Sequence, residues 1–226
     1  MIILHIETST NICSIAISEN GQCIFTKSDS EGMNHAALLS VFIAEAMEFL
    51  KSVSKNIDAV AVSSGPGSYT GLRIGVSTAK GLCYGLDIPL IAVSTLEILT
   101  ANALLTAEAG TNTLFCPMID ARRMEVYAAF YNQEGIIQRE ISADIIDENS
   151  YSEILENHSV YFFGNGAEKC KTTLTHPNAK FIDGMYPLAQ NMIALAEKAY
   201  AEKKFVDVAY FEPFYLKEFY TTAAKI

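Results

Sequence analysis

The chain's 226 residues suffice for one large domain or two small ones, and a composition 50% hydrophobic and 19% charged is that of a folded chain. A net charge of −10 excludes a broad phosphate-binding surface, because nucleic-acid affinity is carried by lysines and arginines that neutralise backbone charge. No apolar run reaches membrane-spanning length, and Met1 to Glu7 has no basic segment and meets a carboxylate too early for a signal peptide, so a cytoplasmic protein without membrane contact is expected.

In chain order, Ile2 to Ile6 predicts a strand that ends in the polar turn Glu7-Thr8-Ser9-Thr10-Asn11. Ile12 to Ser18 predicts a second strand, and Asn20-Gly21 a hairpin turn into a third over Cys23 to Thr26. The carboxylate and hydroxyls of the first turn suit either a magnesium-bound phosphate or simple capping of a tight turn. Asn34 to Val53 carries Leu38, Leu39, Phe42, Ile43, Ala46, Phe49, Leu50 and Val53 at helical spacing, with Ala36, Val41 and Met47 widening the apolar surface beyond one stripe. One face should cover a sheet, and the surplus predicts a second partner.

Ala59 to Ser63 is a β-branched apolar run that empties into Ser64-Gly65-Pro66-Gly67-Ser68 and then opens a helix through Leu86. Strand, glycine loop and helix N-terminus together suggest an anion, and Glu7, Thr8, Ser9, Gly65, Gly67 and Ser68 are the candidate phosphate-binding residues. The spacing matches neither a Walker A loop, since Leu72-Arg73 follows Gly71, nor a dinucleotide fingerprint, since Thr70 stands where a third glycine is needed. A turn that only lets strand and helix pack is the alternative. Gly71, Gly75, Gly81 and Gly85 leave a strip of the helix nearly bare, open to close approach of another backbone.

Ile88 to Val93 predicts another strand, and Ser94-Thr95-Leu96-Glu97 caps a helix through Leu105. The plan then repeats: strands over Leu114 to Ile119, Met124 to Tyr131 and Ile136 to Ile141, with Asp120 at the first turn, and Val160 to Phe163 running into Gly164-Asn165-Gly166. A duplicated α/β unit with a glycine turn in each half is the two-lobed arrangement of the actin, sugar-kinase and Hsp70-like (ASKHA) superfamily: mixed sheets with flanking helices, nucleotide between the lobes. Residues 1–100 are expected as the N-terminal lobe with the partner-binding helices, and 101–226 as the C-terminal lobe. Pro187 to Lys203 predicts a helix, and an aromatic tail, 211–226, is expected to pack on the body, with a return to the first lobe left open.

Five scattered cysteines imply reduced thiols. His5, His35, His158 and His176 lie far apart, with Leu39 one turn after His35, so a zinc-protease helix is absent and no residue is assigned a catalytic or metal-ligating role.

Ile6-Glu7-Thr8-Ser9-Thr10, His35-Ala36 with Leu38-Leu39, Gly65 through Gly75 with Ala79-Lys80-Gly81, Ile119-Asp120-Ala121-Arg122-Arg123-Met124-Glu125-Val126-Tyr127 and Pro213-Phe214-Tyr215-Leu216 resemble the TsaB (YeaZ) family nearly end to end. The resemblance implies a noncatalytic scaffold or activator, required with TsaD and TsaE for threonylcarbamoyl transfer to the adenosine beside the tRNA anticodon. It implies that a homologous metal-binding sister, TsaD, carries the transfer, that TsaE is the ATPase, and that tRNA is reached only through the complex. This chain alone would form a homodimer and bind no cofactor, with ATP and magnesium at a shared boundary. The family's pairing surface implies Leu38, Leu39, Phe42, Ala46 and Phe49 of the first helix and Gly71, Gly75, Ala79 and Cys83 of the second as contacts, so a bulky residue at Gly75 should weaken association. The family commonly has aspartate where this chain has Glu7, and Arg73, Asp120, Arg122 and Arg123 are expected as local salt-bridge anchors. The alternatives are a stand-alone ATPase or small-molecule kinase of the same fold, a glycoprotease-like metalloprotease, and a module that regulates its sister by proteolysis.

Overall fold

The computed structural model describes residues 1–217 except 33, 108, 109 and 111; the end of the aromatic tail, 218–226, lies outside the described residues. Ile2–Glu7 (β1) pairs antiparallel with Cys13–Glu19 (β2), which turns through Asn20-Gly21 into Gln22–Asp29 (β3). Both turn residues have positive φ, 49° and 80°, as a two-residue hairpin of matching twist requires. Helix His35–Ser52 (α1) returns the chain to Ala59–Ser63 (β4), parallel to β1, and helix Tyr69–Leu86 (α2) leads to Leu90–Val93 (β5), parallel to β4. The strand order is β3-β2-β1-β4-β5.

Thr113–Asp120 (β6), Glu125–Tyr131 (β7), Ile137–Ile145 (β8), Ser159–Phe163 (β9) and Ala179–Ile182 (β10) form the second sheet, ordered β10-β9-β6-β7-β8. Read from the other end, this is the same order with the same strand directions, two antiparallel and two parallel pairings. The duplication expected from the sequence is thus one of topology, and the two-lobed ASKHA arrangement follows from it. The copies differ in their crossovers. Where the first has 18-residue α1, the second has Ser152–Asn157 (α4, 6 residues), and where the first has α2, the second has a short turn around Glu168–Cys170.

The first sheet is buried on both faces. Leu39, Ile43, Ala46 and Leu50 of α1 and Val76, Ala79 and Cys83 of α2 pack on Leu4, Ile6, Ile15, Val60 and Val62. Each large aliphatic side chain so buried contributes on the order of 1.5–3 kcal/mol. On the opposite face, Ile3, Ala59, Ala61, Ile91 and Val93 meet Met192 and Ala196, the latter in Ile193–Ala201 (α5). Helix Thr95–Thr106 (α3) wedges between the sheets, giving Ile98 to that cluster and Leu96, Leu99 and Ala103 to the second sheet's Phe115, Ile119 and Phe163.

The chain therefore does not divide at residue 100 into two self-contained lobes. α5 and the segment after it, placed within 101–226 by order along the chain, pack on the first sheet: Val206 bridges Leu90, and Phe211 joins the α1/α2 core. The helix expected over Pro187 to Lys203 is shorter because Ala189–Met192 is a tight 3-10 turn whose Ala189 amide donates to the buried Ser14 hydroxyl (3.0 Å).

Candidate functional site

The end of β1 and the glycine loop after β4 meet at one point. Ser68 caps α2, its hydroxyl accepting from the Gly71 amide (3.2 Å), while the Ser68 amide donates to the Ser9 carbonyl (2.6 Å) and the Thr8 hydroxyl to the Gly71 carbonyl (2.8 Å). A Cβ built on Gly67, Gly71 or Gly75 would sit well inside 3.0 Å of, in turn, the Ser9 carbonyl, the Thr8 carbonyl and the Thr8 hydroxyl. The six candidate phosphate-binding residues are brought together, but the bare faces of the glycines are filled by the chain's own first turn, with Glu7, Thr8 and Ser9 fully buried. Gly67, Gly71 and Gly75 thus serve backbone packing, the alternative the sequence had left open for this turn.

Glu7 is the chemical oddity of the turn. One carboxylate oxygen accepts from the Ser9 amide (2.5 Å), and the buried Ser9 and Ser63 hydroxyls lie close enough to the carboxylate to act on it. Burial pushes the carboxyl up to about 7, offset in part by the Ser9 hydroxyl and amide and the nearby Ser63 hydroxyl. Two residues earlier, His5 places Nε2 2.8 Å from the Ser18 hydroxyl, and burial lowers its pKa to about 3.

The C-terminal segment straps across this loop. Gly65, at φ +103°, leaves room for the Phe214 carbonyl, and the Phe214 amide donates to the Ser64 carbonyl (2.7 Å). Lys80 of α2 donates to the Ala209 and Phe211 carbonyls (both 3.0 Å), Tyr215 packs on Tyr69 (5.0 Å between centroids), and Lys217 pairs with Glu125. A cleft of ≈ 640 Å³ remains between Ser64, Gly65 and Ser94 on one side and Ile141 of β8 on the other, roofed by Phe211 to Tyr215. Lys80→Met removes both strap bonds, so the Val206 and Phe214 amides should lose hydrogen-exchange protection while those of β1 and β4 keep it; unchanged protection would show that the lysine does not hold the strap.

The helical candidates divide by face. Leu39, Ala46, Gly71, Gly75, Ala79 and Cys83 are buried inside the chain, and Leu38, Phe42 and Phe49 are half-buried against the same core, Phe49 on Phe25 (5.4 Å). The expected contact stripe is therefore mostly the core stripe. Strong apolar periodicity marks the face a helix buries first, and that face is taken by the chain's own sheet. What stays open lies beside it: Ala37, Val41 (50% exposed) and Ala44 on α1, and Gly81, Tyr84 (86%), Gly85 and Leu86 (46%) on α2. Among the described residues nothing lies within 4 Å of a Cβ placed on Gly81 or Gly85, so the glycine strip is two strips, one closed on Thr8 and one left open. The surplus Val41 and the second glycine pair were the sequence signals for this face.

In the second half, the β6–β7 turn is pinned by Asn165, whose side-chain oxygen accepts from the Asp120 amide (3.0 Å), and by Lys169, which pairs with Asp120 and donates to the Glu125 carbonyl (2.7 Å). Arg122 and Arg123 are exposed, and neither they nor Arg73 makes an ion pair among the described residues, contrary to the expected local salt bridges; Arg73 instead lies over the Tyr69 ring at 4.3 Å. Among the described residues, Asp120 alone of the four anchors is ion-paired. Among the described residues, no three His, Cys, Asp or Glu side chains gather to hold a metal ion, and no helix is long and apolar enough to cross a membrane.

Residues 30–224 match the family model described as TsaD, tRNA N6-adenosine threonylcarbamoyltransferase. The chain is 32% identical over 168 residues to the tRNA threonylcarbamoyladenosine biosynthesis protein TsaB of Bacillus subtilis, covering 73% of this chain and 71% of that one. It is 28% identical over 207 residues to the protein of the same name from Haemophilus influenzae, covering 88% and 86%. The solved structure of YeaZ from Pseudomonas aeruginosa superposes with a TM-score of 0.78 at 26% identity, covering 95% of this chain and 99% of that one. With the doubled sheet, the filled glycine loop and these likenesses together, the chain belongs to the TsaB (YeaZ) family.

Proposed function

We propose that this chain is the noncatalytic scaffold or activator of a tRNA-modifying assembly that makes threonylcarbamoyladenosine, acting beside a homologous TsaD-like transferase and a TsaE-like ATPase, and pairing with itself when alone. The naming of its relatives as tRNA threonylcarbamoyladenosine biosynthesis proteins supports the pathway. The observation that carries the role is the open α1/α2 face, where Val41 and Tyr84 stand exposed around the uncovered Gly81 and Gly85, in a chain whose glycine loop is occupied by its own first turn. A partner's helices can approach closely over such small residues. The pairing surface proposed is thus the solvent strip next to the expected one, with Leu38 and Phe42 at its margin. ATP and magnesium would sit at a boundary shared with a partner.

Gly81→Arg tests this without disturbing the monomer, since the side chain projects into open space. In sedimentation velocity with the purified transferase subunit, the wild-type chain should form a heavier species, and the variant should need at least tenfold higher concentration to form it. Equal association of both would contradict the assignment. The ≈ 640 Å³ cleft favours the second reading, a stand-alone ATPase or kinase. Stoichiometric heat on titrating magnesium-ATP into the isolated chain would establish that reading, and no heat would remove it.

A further inference from the structure

In a chain with 26 acidic residues, Lys80 makes no ion pair among the described residues and spends its charge on two main-chain carbonyls of the strap, those of Ala209 and Phe211 (both 3.0 Å). The carbonyls are held ready for it. The Asp207 side chain accepts from the Ala209 and Tyr210 amides (2.7 and 3.0 Å), and the Phe211 amide donates to the Asp207 carbonyl (2.9 Å). A turn fixed by its own residues in this way presents both acceptors to one ammonium.

Elsewhere the strap is tied at few points. Val206 bridges Leu90, the Phe214 amide donates to the Ser64 carbonyl (2.7 Å), Tyr215 packs on Tyr69, and Lys217 pairs with Glu125 at the head of β7. No strand or helix forms between Asp207 and Lys217. A segment with so few main-chain bonds opens more readily than the strands beside it, and its opening uncovers the cleft it roofs. The strap thus has two states, which differ in whether the Lys80 ammonium has its acceptors.

The Lys80 bond to Ala209 is exposed, and that to Phe211 is only part-buried. Gly81, the next residue, and Tyr84, one helical turn on, belong to the strip proposed for the partner. A partner helix laid there takes water from the ammonium. Charged hydrogen bonds strengthen as water leaves, whereas an ammonium covered without acceptors is costly, so the partner favours the closed strap over the open one. Resting on the proposed function, we infer that Lys80 is a positioning residue that couples docking of the transferase-like partner on α2 to closure of the strap over the cleft. By reciprocity, a closed strap raises affinity for the partner by the factor through which the partner favours closure.

The test follows amide hydrogen exchange at Val206 and Phe214 in the full chain, alone and with purified transferase subunit at concentrations where sedimentation shows complete binding. Partner binding should slow both amides about tenfold in the wild type and less than about twofold in Lys80→Met, while Lys80→Arg, which keeps the charge and can still donate to two carbonyls, should recover most of the slowing. If Lys80→Met keeps the tenfold slowing, the partner covers the strap directly, through Tyr210 beside it, and coupling through Lys80 is overturned. Wild-type amides that exchange equally with and without bound partner would overturn it as well, leaving the proposed function standing. If the wild-type chain does not bind the transferase subunit, or Gly81→Arg binds it equally well, the proposed partner strip fails and the coupling fails with it.

Discussion

Gly71→Ala is expected to destabilise the chain by about 3 kcal/mol or more, while Gly81→Ala, ten residues along the same helix, is expected to stabilise it by about 0.5–1 kcal/mol. The helix favours alanine over glycine by the same margin at both sites, so the difference isolates contact. At Gly71 the new methyl runs into the Thr8 carbonyl, which is fixed at the end of β1 and cannot swing away as a flexible side chain would. At Gly81 it meets none of the described residues within 4 Å. Urea denaturation of both variants reads the result as a shift in midpoint at constant slope. Equal effects would mean that the first turn does not rest on α2 as described.

Glu7→Gln is expected to make the protein more stable above neutral pH, by about 3 kcal/mol at pH 8, and to leave it nearly unchanged near pH 4.5. The folded pKa of about 7 lies above the ordinary 4.5, so the folded state holds the Glu7 proton more tightly than the unfolded chain does. That contribution is complete below 4.5 and is lost as pH rises through about 7. His5 acts in the opposite direction: with its pKa lowered from 6.5 to about 3, its contribution is present above 6.5 and is lost as pH falls. The two windows overlap between 4.5 and 6.5, so the wild-type curve alone mixes them, and the difference between wild type and Glu7→Gln separates Glu7. A variant less stable than wild type at pH 8 would show that the Ser9 amide and the Ser9 and Ser63 hydroxyls stabilise the ionised carboxylate by more than its burial costs.

Much of this architecture was legible because local signals and tertiary demands agree. The stripe of α1 and the hairpin residues Asn20-Gly21 each state a local preference that the fold keeps, whereas the cap expected at Ser94 makes no side-chain bond and Ser68 caps α2 instead. Four strands of the second sheet were legible from its repeated turns at Asp120 and Gly164, and the short edge strand Ala179–Ile182 was not. The strap and α5 were not, because nothing local in Phe211 to Tyr215 or Ile193 to Ala201 says which sheet they cover; long-range burial decides that. Nor could spacing alone separate Gly71 and Gly75 from Gly81 and Gly85. Four glycines on one helix look alike until the Thr8 backbone lies against two of them. The same limit explains why the buried stripe was expected at the interface: periodicity reports that a face is apolar, not what lies against it.

The measurement that bears most directly on the noncatalytic role is reconstitution of tRNA modification from the purified transferase, ATPase, threonylcarbamoyl-adenylate and tRNA, with and without this chain. The account predicts threonylcarbamoyladenosine only when the chain is present, and no turnover of ATP or adenylate by the chain alone. Modification at full rate in its absence, or turnover by the chain alone, would contradict it and return Glu7 and the glycine loop to consideration as an active site.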